Sequence, residues 1–405
     1  MVWQFASRYF WAKKSTNAIN IIAWVSVAAI AVGAGALIVI LSVFNGFEGL
    51  VKSLYSSFYP SVKISPATGK TIVLTPAQLQ QIAATPGVAH YSQIVEEKAV
   101  LRFGEEKTIA VLKGVDSHYN EVAGVKDKVV RGRFDTGDEN AYRAVLGIEL
   151  EAALGIDVER SLVPLDVYVP RRGAGSLLPN EALNSGYLFP AGAFAIQQEF
   201  NSKYVITNID FMRRLLELPA GEMSGLEIAA APGANEIALK DRLETLLGKQ
   251  FKVQTRYEQN QALYAIMQTE KWAVYVILSF ILVIAAFNMI GSLSMLVIEK
   301  RKDITILKAM GARDGLILRI FLAEGLIIAG IGAGLGFGIG ILVCVLQQQF
   351  GLIKLEGSSF LVDAYPVIMN PMDFLLVSIT IIVIGVAASW YPAKQAAKEE
   401  LTVGS

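Results

Sequence analysis

The residues of this sequence that could support catalysis or hold a cofactor are few. Residues 68–71, TGKT, spell the end of a phosphate-binding loop, but Ile64 stands where that loop needs its first glycine. The two histidines, His90 and His118, have no cluster of metal-ligating residues beside them in the sequence. No nucleophile and base stand at a catalytic spacing. The sequence therefore predicts no catalytic residue, no metal site and no cofactor held by this chain.

A charged segment at 299–312 is more informative. It reads EKRKDITILKAMGA and follows directly on an apolar run long enough to cross a bilayer. Ile304, Leu307 and Met310 recur at helical spacing, and basic residues cover the rest of the surface. Gly311 then gives the chain a place to turn back. The pattern predicts a short amphipathic docking helix at the cytoplasmic face, joined to a span so that it can pass force through the membrane.

Composition indicates a membrane protein. Hydrophobic residues make up 53% of the 405 positions, and the mean hydropathy is +0.46. Four segments almost free of charge are each long enough to span a bilayer, for which about 20 residues suffice. We predict spans at 21–44, 272–298, 316–346 and 374–391. The first is too long for the core of a signal peptide and lacks a small-residue cleavage site, so we expect it to be retained.

Lysine and arginine in the short flanks predict the orientation of the spans. They are concentrated before the first span, in segment 299–315, and in the tail 392–405. The connection at 347–373 instead carries more acidic than basic residues. We therefore expect both termini and segment 299–315 in the cytoplasm, and segment 45–271 on the outer side.

Segment 45–271 has the mixed composition of a domain outside the membrane and is large enough for two subdomains. Two strand–helix–strand patterns, the first with a helix opened by Thr75 and Pro76, flank a strand-rich middle. We predict an α/β subdomain built from about 48–115 and 215–260, with a β-rich insertion at about 116–214. The sole cysteine, Cys344, lies in the third span, so this domain must fold around an ordinary core.

A Gly- and Pro-rich stretch at 171–186 interrupts the insertion and does not read as a core element. Its apolar tip suits either a partner-binding loop or a plain surface loop, and the residues alone leave the two open. The binding candidates in this loop are Arg171, Arg172, Leu177, Leu178 and Pro179.

Polar and small residues inside the spans predict helix contacts. The amide of Asn288, deep in the second span, needs a partner, and we favour a helix–helix hydrogen bond over the lining of a substrate cavity. Glu324, near the cytoplasmic end of the third span, could reach the interface or pair with Arg319. In the same span, glycines spaced four apart share one face and predict close helix contact: Gly330, Gly334 and Gly338.

The chain resembles the lipoprotein-releasing ABC permeases, the LolC/LolE type of the MacB/FtsX-like class. The start FASRYF with Lys13 and Lys14 is similar to that family's amphipathic N-terminal helix, placed here at 1–20. VFNGFE at 43–48 matches the end of the first span and is fairly specific to the lipoprotein branch. AFNM at 286–289, the run 298–312 and YPAKQAA at 391–397 match the wider class.

The resemblance implies a fold and a set of partners. The fold is an α-helical membrane protein with four transmembrane helices plus a large α/β periplasmic domain of two subdomains, in the bacterial inner membrane. Such a permease subunit pairs with a second permease subunit, in a homodimer or a heterodimer, and with separate LolD-like ATPase subunits, which bind ATP and Mg. It extracts lipoproteins from the outer leaflet and hands them to a LolA-like periplasmic carrier. Membrane lipid is a further partner and nucleic acid is not.

The resemblance also assigns site residues. Segment 299–315 becomes the coupling helix, with ATPase-docking residues Glu299, Lys300, Arg301, Asp303, Ile304, Leu307, Lys308, Met310 and Gly311. The candidates for a lateral lipoprotein entrance are Val39, Val43, Phe44, Asn45, Trp272, Val276 and Asn288. Loop 171–186 falls where one permease of the family carries a hook for the carrier, although only Pro179 aligns with it.

Three other functions remain in view. A MacB-like efflux permease and an FtsX-like regulatory permease share the architecture of the class. A membrane-anchored sensor would need a signalling domain in the cytoplasm, and the cytoplasmic segments here are too short for one.

Overall fold

The structure is a computed structural model that describes residues 2–4, 6, 17–171, 183–354 and 364–398. The chain divides into two units. The helical unit contains the described residues up to 50, 265–354 and 364–398. The sheet unit contains the described residues between 51 and 264.

The principal helices, in chain order, are α1 (Asn17–Ser56), α2 (Pro76–Ala83), α3 (Tyr119–Val122), α4 (Ile148–Ala153), α5 (Gln198–Asn201), α6 (Ile209–Leu215), α7 (Glu236–Leu247), α8 (Arg256–Gln259), α9 (Gln261–Glu299), α10 (Arg301–Ala309), α11 (Asp314–Phe350) and α12 (Pro371–Ala397).

Four of these helices, α1, α9, α11 and α12, are long and apolar enough to cross a membrane, and they coincide with the four predicted spans. Two of them are longer than the apolar stretches suggested. α1 continues about three turns beyond the predicted end of its span, and α9 begins about three turns before the predicted start. The backbone hydrogen-bond ladder of a helix does not stop where the apolar residues stop, and neither extension contains a proline that would break it.

The helical unit packs α1 against α11 through small residues. A Cβ at Gly332 would lie 2.8 Å from atoms of Ile30, and one at Gly336 would lie 2.5 Å from the carbonyl oxygen of Ala31. Gly340 repeats the contact with Ile38 one turn later. The three glycines let the two backbones approach closely.

The glycine face predicted for this contact is wrong. Cβ atoms at the other three glycines would meet no described atom within 4 Å; these glycines are Gly330, Gly334 and Gly338. Glycine occupies every second position from 330 to 340, so the sequence carries two stripes on nearly opposite faces of α11. Which stripe makes the contact depends on the fit of Ile30 and Ile38, which lie some 300 residues away along the chain.

The strands of the sheet unit are β1 (Val62–Pro66), β2 (Ile72–Val73), β3 (Val88–Phe103), β4 (Glu106–Val115), β5 (Val129–Gly132), β6 (Gly137–Asp138), β7 (Ala141–Gly147), β8 (Leu165–Pro170), β9 (Leu183–Phe194), β10 (Tyr204–Asn208), β11 (Glu222–Met223), β12 (Gly225–Ala230) and β13 (Phe251–Thr255).

Most of these strands form one sheet, in the order β13-β1-β12-β3-β4-β10-β7-β9-β5. At one end two strand–helix–strand units interlock, because β12 pairs antiparallel with both β1 and β3, while β1 also pairs with β13. Thr75 caps α2 through a capping box, and Asn235 caps α7. Strands from both ends of the predicted α/β part therefore lie side by side.

The strands of the predicted insertion continue the same sheet. β10 pairs in parallel with β4, and β7 and β9 extend the sheet from there. One hydrophobic core runs from Val62 to Val253 and includes residues from both parts. The division into two subdomains is thus not visible as a break in the sheet or in the core.

Candidate functional site

The coupling helix α10 is closed by a defined turn. Gly311 adopts a φ of +90°, which favours glycine. Its N–H donates to the carbonyl of Lys308 at 3.0 Å, and the N–H of Ala312 donates to the carbonyl of Leu307 at 3.0 Å. This pair of hydrogen bonds is the Schellman arrangement that ends helices at glycine. The turn fixes the direction in which α11 leaves α10.

Side-chain contacts fasten α10 to the other helices. Lys308 Nζ donates to the carbonyl of Ala397 at the end of α12, at 2.7 Å, and pairs with Asp314 at the start of α11, at 2.9 Å. Ile304 is 1% exposed and lies in an apolar cluster with Phe321 and Ala396, among others. A load applied to α10 is therefore carried directly to its neighbours.

The assignment of Ile304 to a docking surface is wrong, because its side chain is occupied by this internal cluster. Leu307 also packs against the cluster and is half-buried. The apolar residues that remain exposed are Met310, at 79%, and Ile306, at 59%, which the stripe did not include. Spaced four residues apart, they share one side of the helix. We call Ile306 and Met310 the docking edge.

Four other docking candidates are charged residues near the start of α10. Glu299 and Lys300 lie at the junction of α9 and α10, where Lys300 pairs with Asp303 at 3.7 Å. Arg301 begins α10 and is exposed.

The lateral-entrance candidates differ in exposure. Trp272 and Val276, on α9, are 52% and 49% exposed. Val39, Val43 and Phe44, on α1, are half-buried. α9 therefore offers the larger apolar surface of the two helices.

Asn45 does not offer a free side chain. Its Oδ1 accepts a hydrogen bond from Lys271 Nζ at 2.6 Å, and its Nδ2 donates to Asp373 Oδ2 at 2.5 Å and to the carbonyl of Ile368 at 3.2 Å. We call this group of Asn45, Lys271 and Asp373 the Asn45 junction. It joins α1, α9 and α12.

The helix–helix hydrogen bond that we favoured for Asn288 is not made to any described residue of this chain. The residue is exposed on α9, and its amide makes no hydrogen bond with any other described residue. It lies in a ridge of exposed residues spaced alternately four and three apart, which we call the α9 ridge: Ile277, Ile281, Ile284, Asn288, Gly291, Met295 and Ile298. This spacing is the heptad pattern of a helix that packs along another helix.

Comparison with known families matches both units. A family model described as the MacB-like periplasmic core domain matches residues 23–246, and one described as the FtsX-like permease C-terminal matches residues 275–401. The chain belongs to the MacB/FtsX-like permease family. The coupling helix, the docking edge and the Asn45 junction are therefore features of a multi-pass membrane permease.

Curated relatives extend the similarity of this permease to nearly the whole chain. The lipoprotein-releasing system transmembrane protein LolC of Xylella fastidiosa is 25% identical over 96% of this chain and 95% of its own. LolC of Neisseria meningitidis is 26% identical over 97% of this chain and 96% of its own. LolE of Haemophilus influenzae is 22% identical over 96% of this chain and 95% of its own.

The structure also shows the surroundings of Glu324 and Arg171. Glu324 is 1% exposed, so its carboxylate does not reach the aqueous interface as one prediction had it. Arg171 is exposed and pairs with Glu217 at 3.0 Å. The remaining loop candidates lie outside the described residues: Arg172, Leu177, Leu178 and Pro179.

The sheet unit of the permease contains a buried ionic cluster that no local sequence pattern predicts. Lys113 Nζ lies 2.8 Å from Glu227 Oε1, and both side chains are 1% exposed. Glu96 lies 3.8 Å from Lys113 and 3.0 Å from Lys63. Burial alone would raise the pKa of Glu96, but the ammonium groups of Lys63 and Lys113 outweigh it and lower that pKa below its ordinary value.

Proposed function

We propose that this chain is a permease subunit of an ABC transporter that extracts lipoproteins from the outer leaflet of the inner membrane and hands them to a LolA-like periplasmic carrier. The similarity to LolC and LolE relatives over more than nine-tenths of both chains carries the proposal. The sheet unit is then periplasmic, and both termini and α10 are cytoplasmic, as the basic flanks of the spans indicate.

The energy would come from LolD-like ATPase subunits that bind ATP and Mg and dock on α10. The docking edge, Ile306 and Met310, supplies the exposed apolar anchors that such an interface needs. Because Lys308 ties α10 to α11 and α12, a movement of the ATPase would reach three spans together.

A second permease subunit would cover the α9 ridge. An asparagine in the apolar part of a span is costly without a partner, and its amide can both donate and accept a hydrogen bond. Gly291 lies one turn from Asn288 and has no described atom within 4 Å of a built Cβ, which leaves room for a close helix. Either a second copy of this chain or a related permease could supply that helix.

The substrate would be the acyl chains of a lipid-anchored protein. Each CH₂ group buried in the bilayer stabilises the anchor by about 0.8 kcal/mol, so extraction without work is strongly unfavourable. The exposed apolar surface at Trp272 and Val276 offers these chains a place to leave the lipid. Loop 171–186 stays the candidate for contact with the carrier.

Photo-crosslinking tests the proposal. A crosslinker at Trp272 or Val276 should capture lipoproteins, and the captured fraction should fall when ATP and a carrier are supplied. Ile382 is the control, because it is 53% exposed but belongs to a different helix, α12, and it should capture phospholipid. If all positions capture phospholipid alone, and depletion of the protein leaves outer-membrane lipoproteins correctly sorted, an efflux or regulatory permease explains the chain better.

A further inference from the structure

In the Asn45 junction, both polar atoms of the Asn45 amide make hydrogen bonds to neighbouring residues. The oxygen accepts from Lys271 on α9 at 2.6 Å, while the nitrogen donates to Asp373 on α12 at 2.5 Å and to the carbonyl of Ile368 at 3.2 Å. Lys271 and Asp373 are 3.8 Å apart, so the amide bridges two opposite charges. An amide suits this position, because its oxygen only accepts hydrogen bonds and its nitrogen can donate two.

Backbone contacts reinforce the junction. The N–H of Ile368 donates to the carbonyl of Ser42 on α1 at 2.9 Å. A Cβ at Gly46 would lie 2.1 Å from the carbonyl oxygen of Pro366, so the segment before α12 lies directly against α1 where only glycine fits. The turn of α1 around Asn45 and Gly46 is thus held both by a side chain and by the backbone.

Burial makes the junction costly to open. The side chain of Asp373 is 10% exposed and that of Lys271 is 28% exposed. Separating them would leave a largely desolvated carboxylate without its ammonium group, which costs more than an exposed pair would.

α1 and α9 remain in contact below the junction as well. A Cβ at Gly33 would lie 2.7 Å from Leu282 Cδ2, and both helices contribute to one apolar cluster. The two helices are therefore joined at Asn45 and again at Gly33, about three turns away along α1.

We propose that Lys271 and Asp373 are positioning residues that act through Asn45 to keep α1, α9 and α12 together as one rigid body at the level of the junction throughout lipoprotein release. This rests on the proposed function. The opening that admits acyl chains then forms along the exposed side of α9, at Trp272 and Val276, and Asn45 does not contact the substrate.

A chemical crosslink between α1 and α9 tests whether the junction stays closed during release. In a parent with Cys344→Ala, the double variant Asn45→Cys/Lys271→Cys loses the junction, and we expect its lipoprotein release rate to fall about tenfold, the effect of a lost charge-assisted hydrogen bond. Joining the two cysteines with a short bifunctional thiol reagent should restore release to within about twofold of the parent. If the bridge leaves release low or lowers it further, the junction must open during the cycle and the proposal fails.

Spin labels supply a readout that does not depend on release. With labels at Phe47 and Glu270 in the assembled transporter, the distance distribution of the parent should be the same with and without ATP, and Lys271→Met or Asp373→Asn should broaden it. Lys107→Met, at an exposed lysine on β4, should not. A distance in the parent that changes with ATP overturns the proposal. A parent that releases no lipoprotein but keeps a fixed distance would count against the proposed function alone.

Discussion

At the scale of single residues, the buried charges of the sheet unit depend on one another for their stability. Lys113 contacts Glu227 at 2.8 Å and also lies over the rings of Phe58, at 4.5 Å, and Tyr119, at 4.9 Å. The ammonium group has exchanged water for a carboxylate and two aromatic faces. Removal of one partner leaves the other charge in an apolar surrounding.

We expect Lys113→Met to lower the free energy of unfolding of the sheet unit by up to about 3–5 kcal/mol, because it leaves Lys63, 3.9 Å away, as the remaining counter-charge of the buried Glu227. Hydrogen exchange of β3, β4 and β12 in the full chain measures the change. Lys70→Met is the matched control, since the side chain of Lys70 is 70% exposed and its pair with Glu97 contributes at most about 1 kcal/mol. Equal losses in both variants would contradict the buried pair.

The lowered pKa of Glu96 predicts a pH dependence. Because its native pKa lies below the ordinary value of 4.5, the stabilisation is complete above that value and is lost as the pH falls through the native pKa. We expect the thermal midpoint of the sheet unit to fall on acidification in this window, and Glu96→Gln to make that fall smaller. A pH profile that the substitution leaves unchanged would assign the acid sensitivity to other groups.

Residue types could predict local features but not this cluster. Thr75, Asn235 and Gly311 act as caps because of their own chemistry and that of the next few residues, so their roles could be read from the sequence. Lys113 and Glu227 are 114 positions apart and meet only because β3 pairs with both β4 and β12. No local pattern marks them as partners.

At the scale of elements, α11 allows a matched pair of substitutions. We expect Gly336→Ala to destabilise the purified chain by about 1–3 kcal/mol, because the added Cβ would overlap the carbonyl oxygen of Ala31. Gly334→Ala adds the same methyl group where no described atom lies within 4 Å and should be neutral. Thermal unfolding in detergent measures both, and an equal loss in both would indicate a second contact on the Gly334 face.

Substitutions on the exposed face and on the buried face of the coupling helix α10 should have different effects. Ile306→Asp or Met310→Asp should abolish co-purification of the ATPase while the chain stays folded, because both side chains are exposed. Met310→Leu keeps the apolar volume and should bind the ATPase normally. Ile304→Asp should instead destabilise the chain, since that side chain is 1% exposed. Normal ATPase binding by both edge variants would rule out this docking surface.

Helical periodicity predicted that α10 is amphipathic but not which apolar residues are free. The apolar residues of a short amphipathic helix can pack against their own chain or bind a partner. Here Ile304 and part of Leu307 pack against their own chain. The same ambiguity affects Asn288, for which we favoured a helix–helix hydrogen bond and which is exposed in this chain. Only the positions of the neighbouring helices decide such cases.

At the scale of the whole molecule, the orientation can be tested with two cysteines in a Cys344→Ala background. Ser117 is exposed on the sheet unit, and Asp314 is exposed at the start of α11. A membrane-impermeant thiol reagent applied from the periplasmic side should label Ser117→Cys and not Asp314→Cys. Equal labelling of the two positions would contradict the four-span topology.

The number of spans could be predicted because a bilayer demands a long apolar segment wherever the chain crosses it. The order of strands could not, because β1 finds its partners β12 and β13 more than 160 residues away. The predicted boundary between subdomains is not seen for the same reason. It was drawn from a change of composition along the chain, but backbone hydrogen bonds between β4 and β10 join the two parts. Composition does not predict which strands pair.

Because of its alternating glycines, the stability of helix α11 depends on whether water or hydrocarbon surrounds it. In water each glycine within a helix costs about 1 kcal/mol relative to alanine, so the six between 330 and 340 would cost about 6 kcal/mol together. In hydrocarbon the backbone has no water to bond with, and the helix is the form in which every peptide group of a single segment is satisfied. This part of the chain must therefore acquire its secondary structure after it leaves the aqueous phase, and its insertion and its folding are one event.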